Sequence, residues 1–152
     1  EGPGATRLAA RASNRRLPRR EERIVTPVID HAACYVSDLA ATREFYVRYL
    51  GATSNDGYHN PTTGLRTFFL SFGDGSRLEL MTRPGVDAAR PVGSLGWIHL
   101  AFRIGSVEAV DAPAARMRED GVRVLSGPRR TGDGYYEACV LDPEGNEVEL
   151  VA

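Results

Sequence analysis

Four side chains of this 152-residue chain are of types that bind cations and move protons, and each sits where a strand interior would not ordinarily hold it. His31 lies in PVIDHAACYV, Glu79 in SRLELM, His99 in GWIHLAFRI and Glu149 in EVELVA. Alternate residues of a strand share a face, so Leu78 and Leu80 point away from Glu79, as Val148 and Leu150 do from Glu149. A lone strand Glu ordinarily faces water, because burying an unpaired carboxylate costs several kcal/mol. A lone strand His is ordinarily a core or rim residue. Recurrence changes that reading: the two histidines are 68 residues apart and the two glutamates 70. Two imidazoles and two carboxylates offered to one shared cavity suit a borderline divalent cation, Zn, Ni, Co, Mn or Fe.

The elements that must position these groups are themselves duplicated. Ile29 to Val36 reads as a strand, and Leu39 to Leu50 as a helix opened by Asp38 and stopped by Gly51. Three strands follow, Ala52 to Tyr58, Leu65 to Phe72 and Ser76 to Thr82, the last two joined at Gly73-Asp74-Gly75. The order then repeats: a strand from Gly96 to Ile104, and a helix from Val107 to Asp120 between Ser106 and Gly121. Strands Val122 to Leu125, Tyr135 to Leu141 and Glu147 to Val151 complete the second unit. Pro113 predicts a kink, or a helix whose regular part starts near Asp111. The fold class expected is α+β: paired βαβββ modules whose curved mixed sheet surrounds a metal-binding cavity. Module one spans 24–83, a Gly-, Pro- and Ala-rich linker 84–95 and module two 96–152, together one domain.

Composition limits what such a domain does. Forty-two per cent hydrophobic and 26% charged residues are the balance of a globular protein with a buried core. No run of about 18 apolar residues exists to span a membrane. All 19 basic residues are arginine; seven of them, against three glutamates, fall in residues 1–23, read as a flexible or loosely docked arm. The remaining chain is net acidic, which argues against nucleic acid as a partner. Cys34 and Cys139, far apart and without a CxxC, read as free thiols, and without a secretory apolar segment the expected location is cytoplasmic.

From about Ile24 to Ala152 the chain resembles the vicinal oxygen chelate superfamily, which contains glyoxalase I, fosfomycin-resistance proteins, methylmalonyl-CoA epimerase and extradiol dioxygenases. The resemblance rests on IDHAACYVSDLAATREFYVRYLG, LELM, GWIHLAF and above all LDPEGNEVEL, which is similar to the family's closing DPxGxxxEL signature. It implies paired modules cupping one divalent metal, held here by His31, Glu79, His99 and Glu149, and a homodimer. A carboxylate at Glu79 resembles glyoxalase I, whereas thiol transferases and dioxygenases use two His and one Glu, and epimerases carry Gln there.

The activity implied is that of a lactoylglutathione-lyase-like metalloenzyme, isomerising a hemithioacetal or related α-hydroxycarbonyl through an enediolate. Glu149 is the implied base and Glu79 its counterpart. Glutathione-using members have an arginine where this chain has Tyr35, and an asparagine where it has Arg83. Tyr35, Arg83 and Arg103 are therefore the substrate-binding expectation, and the thiol cofactor, if one is used, stays open. The rivals are another enzyme of the superfamily (thiol transferase, epimerase or dioxygenase) and a non-enzymatic small-molecule-binding resistance protein.

Overall fold

The computed structural model describes residues 27–152 apart from Asp74, Arg90 and Val92; the basic arm expected at 1–23 lies outside the described residues. Each unit opens on a short strand followed by a capped helix. Strand β1 (Ala32–Tyr35) leads into α1 (Leu39–Leu50), where the Asp38 carboxylate accepts from the backbone N–H of Ala40 and Ala41. Gly51 ends α1 at φ +65°, a left-handed conformation that costs glycine nothing. Strands β2 (Thr53–Ser54), β3 (Tyr58–His59), β4 (Arg66–Ser71) and β5 (Arg77–Thr82) complete the unit. The second unit runs β6 (His99–Arg103), α2 (Val107–Glu119), β7 (Val124–Arg130), β8 (Tyr136–Leu141) and β9 (Glu147–Val151).

The strands form two sheets of the same design, ordered β1-β5-β4-β2, with β3 also on β4, and β6-β9-β8-β7. In both, the first strand runs parallel to the last and the remaining neighbours are antiparallel. The inner faces carry Leu70, Leu78 and Leu80 from one sheet and Ala138, Val140, Val148 and Leu150 from the other, all buried. Thr42, Phe45 and Tyr46 of α1 and Val110, Ala114 and Met117 of α2 are buried in the same core. Burial of each large aliphatic side chain contributes about 1.5–3 kcal/mol.

Three details depart from the sequence expectations. The single strand expected over Ala52 to Tyr58 is two short ones, because the Asn55 side-chain oxygen accepts from the backbone N–H of both Gly57 and Phe69 and turns the chain between them. Of the two outcomes expected at Pro113, the later start does not occur: α2 starts at Val107 under the Ser106 hydroxyl and runs through the proline. The strand expected over Val122 to Leu125 runs on to Arg130, its pairing with β8 shifting register on either side of Ser126. Gly127 sits in that irregular stretch at φ +79°, and a Cβ there would clash with the Glu137 carbonyl oxygen.

The units are locked together by the β8–β9 turn. Tyr46 donates its hydroxyl to buried Asp142 at 3.1 Å, and Phe102 packs against Phe72 and Tyr46. Glu144 reaches back to the start of α1, accepting from the Ser37 hydroxyl at 2.8 Å and the Asp38 N–H at 2.8 Å. Burial alone would raise the Glu144 carboxyl, but these hydrogen bonds outweigh it and hold it below its ordinary value of 4.5. Stability from this contact is therefore complete above about pH 4.5 and is lost as pH falls through the depressed folded-state value. Glu144→Gln is expected to cost about 1 kcal/mol at pH 7, modest because the carboxylate stays partly open to water. Denaturant melts of both proteins at pH 7 and pH 3 check this: the gap should shrink at the lower pH.

Candidate functional site

Pairing of β1 with β5 places Ala33 beside Glu79, and His31 precedes Ala33 by two residues on the same outward face. His31 Nε2 lies 3.7 Å from Glu79 Oε2. The other imidazole nitrogen, Nδ1, lies 2.8 Å from Asp30 Oδ2, and Asp30 is in turn paired with Arg77. The hydrogen bond with His31, then the Arg77 charge, hold the Asp30 carboxyl below its ordinary value. Asp30 engages Nδ1 and leaves Nε2 as the ring nitrogen that faces Glu79, the way carboxylate partners orient ligating histidines. Phe69, across the ladder from Glu79, meets the His31 ring edge-on at 5.2 Å.

The second sheet repeats this arrangement. Ala101 pairs with Glu149, His99 again stands two residues before, and His99 Nε2 lies 3.5 Å from Glu149 Oε2. Even the exposures match: the side chains are 36% and 15% accessible for His31 and Glu79, 37% and 17% for His99 and Glu149. The structure thus brings the four expected residues together as two pairs. Among the described residues of one chain, no three His, Cys, Asp or Glu side chains converge to hold a metal. Each sheet offers half of a donor set, an accessible histidine beside a largely shielded glutamate. Ala33 and Tyr35 are exposed along β1, His99, Ala101 and Arg103 along β6, and Trp97 beside them is 74% accessible.

Of the three expected substrate-binding residues, two meet. Arg83 stacks its guanidinium 5.5 Å over the Tyr35 ring; Tyr35 ends β1 and Arg83 directly follows the neighbouring parallel β5, four positions beyond His31 and Glu79 respectively. Arg103 stands in the other sheet and donates to the Ala152 carbonyl at 3.1 Å. His59 is exposed on β3, away from both pairs. A cavity of about 260 Å³ beside the second pair is lined by Cys34, Tyr46, Trp97, Ile98 and His99 among others.

One residue of this face, Glu137, was not singled out by sequence reasoning as part of a site. Glu137 is nearly buried on β8, and Arg129 of β7 pairs with it at 3.0 Å. The signal was available in strand alternation, which places Glu137, Cys139 and Leu141 on the face of Glu149. Burial pushes the Glu149 carboxyl upward; His99 opposes this, and Glu137, by charge and hydrogen bonding, adds to it. Burial and then the acidic neighbours push the Cys139 thiol up to about 11, so it stays protonated and unreactive; Cys34, also a free thiol, is pushed up to about 11.

Comparison with known proteins fits this arrangement into a broad group. The sequence profile of the Glyoxalase/Bleomycin resistance protein/Dioxygenase superfamily matches residues 28–150. An uncharacterized Bacillus subtilis protein, YqjT, is 32% identical over 129 residues, which are 80% of this chain and 96% of that one. The crystal structure of a glyoxalase family protein from Enterococcus faecalis superposes with a TM-score of 0.68 at 30% identity, covering 82% of this chain and 97% of that one. The trypanothione-dependent glyoxalase I of Leishmania major gives 0.67 at 26% identity, over 83% and 86%.

Proposed function

The chain belongs to the Glyoxalase/Bleomycin resistance protein/Dioxygenase superfamily, and from that premise we propose that it is a metal-dependent, glyoxalase-I-like lyase/isomerase. Its substrate is the hemithioacetal of an α-oxoaldehyde and a thiol. The observation that carries this reading is the matched pair of His–Glu contacts, His31 with Glu79 and His99 with Glu149, at equivalent places of the two sheets. Two chains would associate so that the first pair of one meets the second pair of its partner, completing two equivalent sites per dimer.

Two imidazoles and two carboxylates fit one divalent cation of the Zn, Ni, Co, Mn or Fe group, and their formal charge would balance it. Bound there, the cation would supply Lewis-acid stabilisation of the negative charge that develops on the substrate oxygens. The protein's own groups do the rest. Glu149 takes the proton from the carbon bearing sulfur and returns it to the neighbouring carbon, leaving a 2-hydroxyacyl thioester. Asp30 holds the His31 ring in its orientation. Tyr35 and Arg83 would line the approach, Arg83 offering planar N–H donors to an anionic group of the substrate. Dependence of the Leishmania protein on trypanothione leaves room for a thiol other than glutathione in this family.

The test is a panel of thiols (glutathione, cysteine, coenzyme A) with methylglyoxal on metal-reconstituted protein, following thioester absorbance. Turnover with at least one thiol, abolished by chelation, is expected. A protein that takes up no divalent ion and turns over nothing would be a small-molecule-binding member instead.

A further inference from the structure

The two half-sites match in ligands but not in surroundings. Counting back along β8 from the residue opposite Glu149, the same face carries Cys139 and then Glu137, a diagonal neighbour within side-chain reach of Glu149. Its counterpart in the first sheet, reached the same way along β4 from Phe69 opposite Glu79, is the uncharged Thr67. Glu137 is a costly residue to keep there. Its side chain is only 11% accessible, and its ion-pair partner among the described residues is Arg129, at 3.0 Å through Oε1. The local backbone is shaped to bring that partner in. At Gly127 the chain passes so close to Glu137 that no Cβ would fit, and two residues later Arg129 stands in register opposite Glu137.

We propose that Arg129 and Glu137 are positioning residues for Glu149: the ion pair fixes a carboxylate beside Glu149 that holds its Oε2 toward His99. This rests on the reading of Glu149 as ligand and base, and it says why the second half-site, rather than the first, carries the proton transfer. Glu79 has an aromatic ring and a hydroxyl for neighbours, and Asp30 steadies its histidine; Glu149 has a charged strut at its back. Partners of a ligating side chain, when removed, typically change metal affinity or activity about 10–100-fold.

The test uses Glu137→Gln, Arg129→Met and Arg129→Lys in the full chain, with Co²⁺ as the probe. Visible absorption of the Co²⁺-loaded protein reports ligand geometry independently of turnover. Glu137→Gln and Arg129→Met are each expected to shift that spectrum and weaken Co²⁺ binding about tenfold. They should also lower kcat with methylglyoxal and the best thiol about tenfold while KM stays within about twofold. Arg129→Lys, which keeps the charge, should recover most of the spectrum and of kcat. Wild-type spectra and kcat in Glu137→Gln and Arg129→Met would overturn the proposal, as would losses that follow only the melting temperature. A wild-type protein that binds no Co²⁺ would overturn the underlying reading of the site instead.

Discussion

Glu149→Gln is expected to leave the protein folded and able to take up a divalent ion, and to lower kcat by about 10³-fold. The amide matches the carboxylate in shape and keeps an oxygen that can reach a cation, so the fold and most of the donor set survive. What it loses is the ability to accept a proton. A positioned acid–base group is ordinarily worth 10²–10⁴-fold, or about 3–5 kcal/mol of barrier. Glu149 is not itself among the buried core residues of its strand, which are Val148, Leu150 and Val151. Steady-state kinetics on the metal-loaded variant, with metal content measured on the same sample, checks the expectation. Full turnover with metal retained would remove Glu149 from the chemistry.

The second large effect concerns the half-sites. Replacing both members of one pair, His31→Ala with Glu79→Ala or His99→Ala with Glu149→Ala, should abolish stoichiometric metal uptake and activity in either protein. Each change removes two of four donors, and the remaining pair, whose His and Glu stand 3.5 to 3.7 Å apart in one chain, is too small a set to retain a borderline cation. Neither double change should unfold the protein, since His31 and His99 are exposed and both glutamates lie on outward faces. Thermal melts of the two variants should stay within a few degrees of the parent, while metal analysis falls to background.

Much of this arrangement was legible in the sequence, and the reason is the duplication. A single strand histidine carries no weight, but His31 and His99 occupy the same place in repeated βαβββ units, and so do Glu79 and Glu149. Helix ends were equally readable, because Asp38, Gly51 and Ser106 act through local hydrogen bonds and backbone conformation. Legibility failed where tertiary contacts overrule local signals. The split of one expected strand depends on Asn55 reaching Phe69, fourteen residues away. Tolerance of Pro113 within α2 depends on Val110, Ala114 and Met117 being buried around it. The role of Glu144 as a cap for α1 links residues 106 positions apart, and no periodicity announces it. Pairing of Arg129 with Glu137 likewise needs the shifted register of β7, set by an irregularity near Gly127.

The same physical limit explains why the four candidate ligands appear as two pairs. Strand alternation fixes the face on which each side chain lies, and parallel pairing fixes which His meets which Glu; neither specifies what lies opposite that face. Co-expressing the two double variants tests directly whether a second chain does. If each site joins the first pair of one chain to the second pair of another, a mixed dimer holds one site with all four residues intact and one with none. Random pairing would then restore about one quarter of the parent's activity and metal content from two inert proteins. A co-expressed mixture as inert and metal-free as its two parents would show that no site is shared between chains.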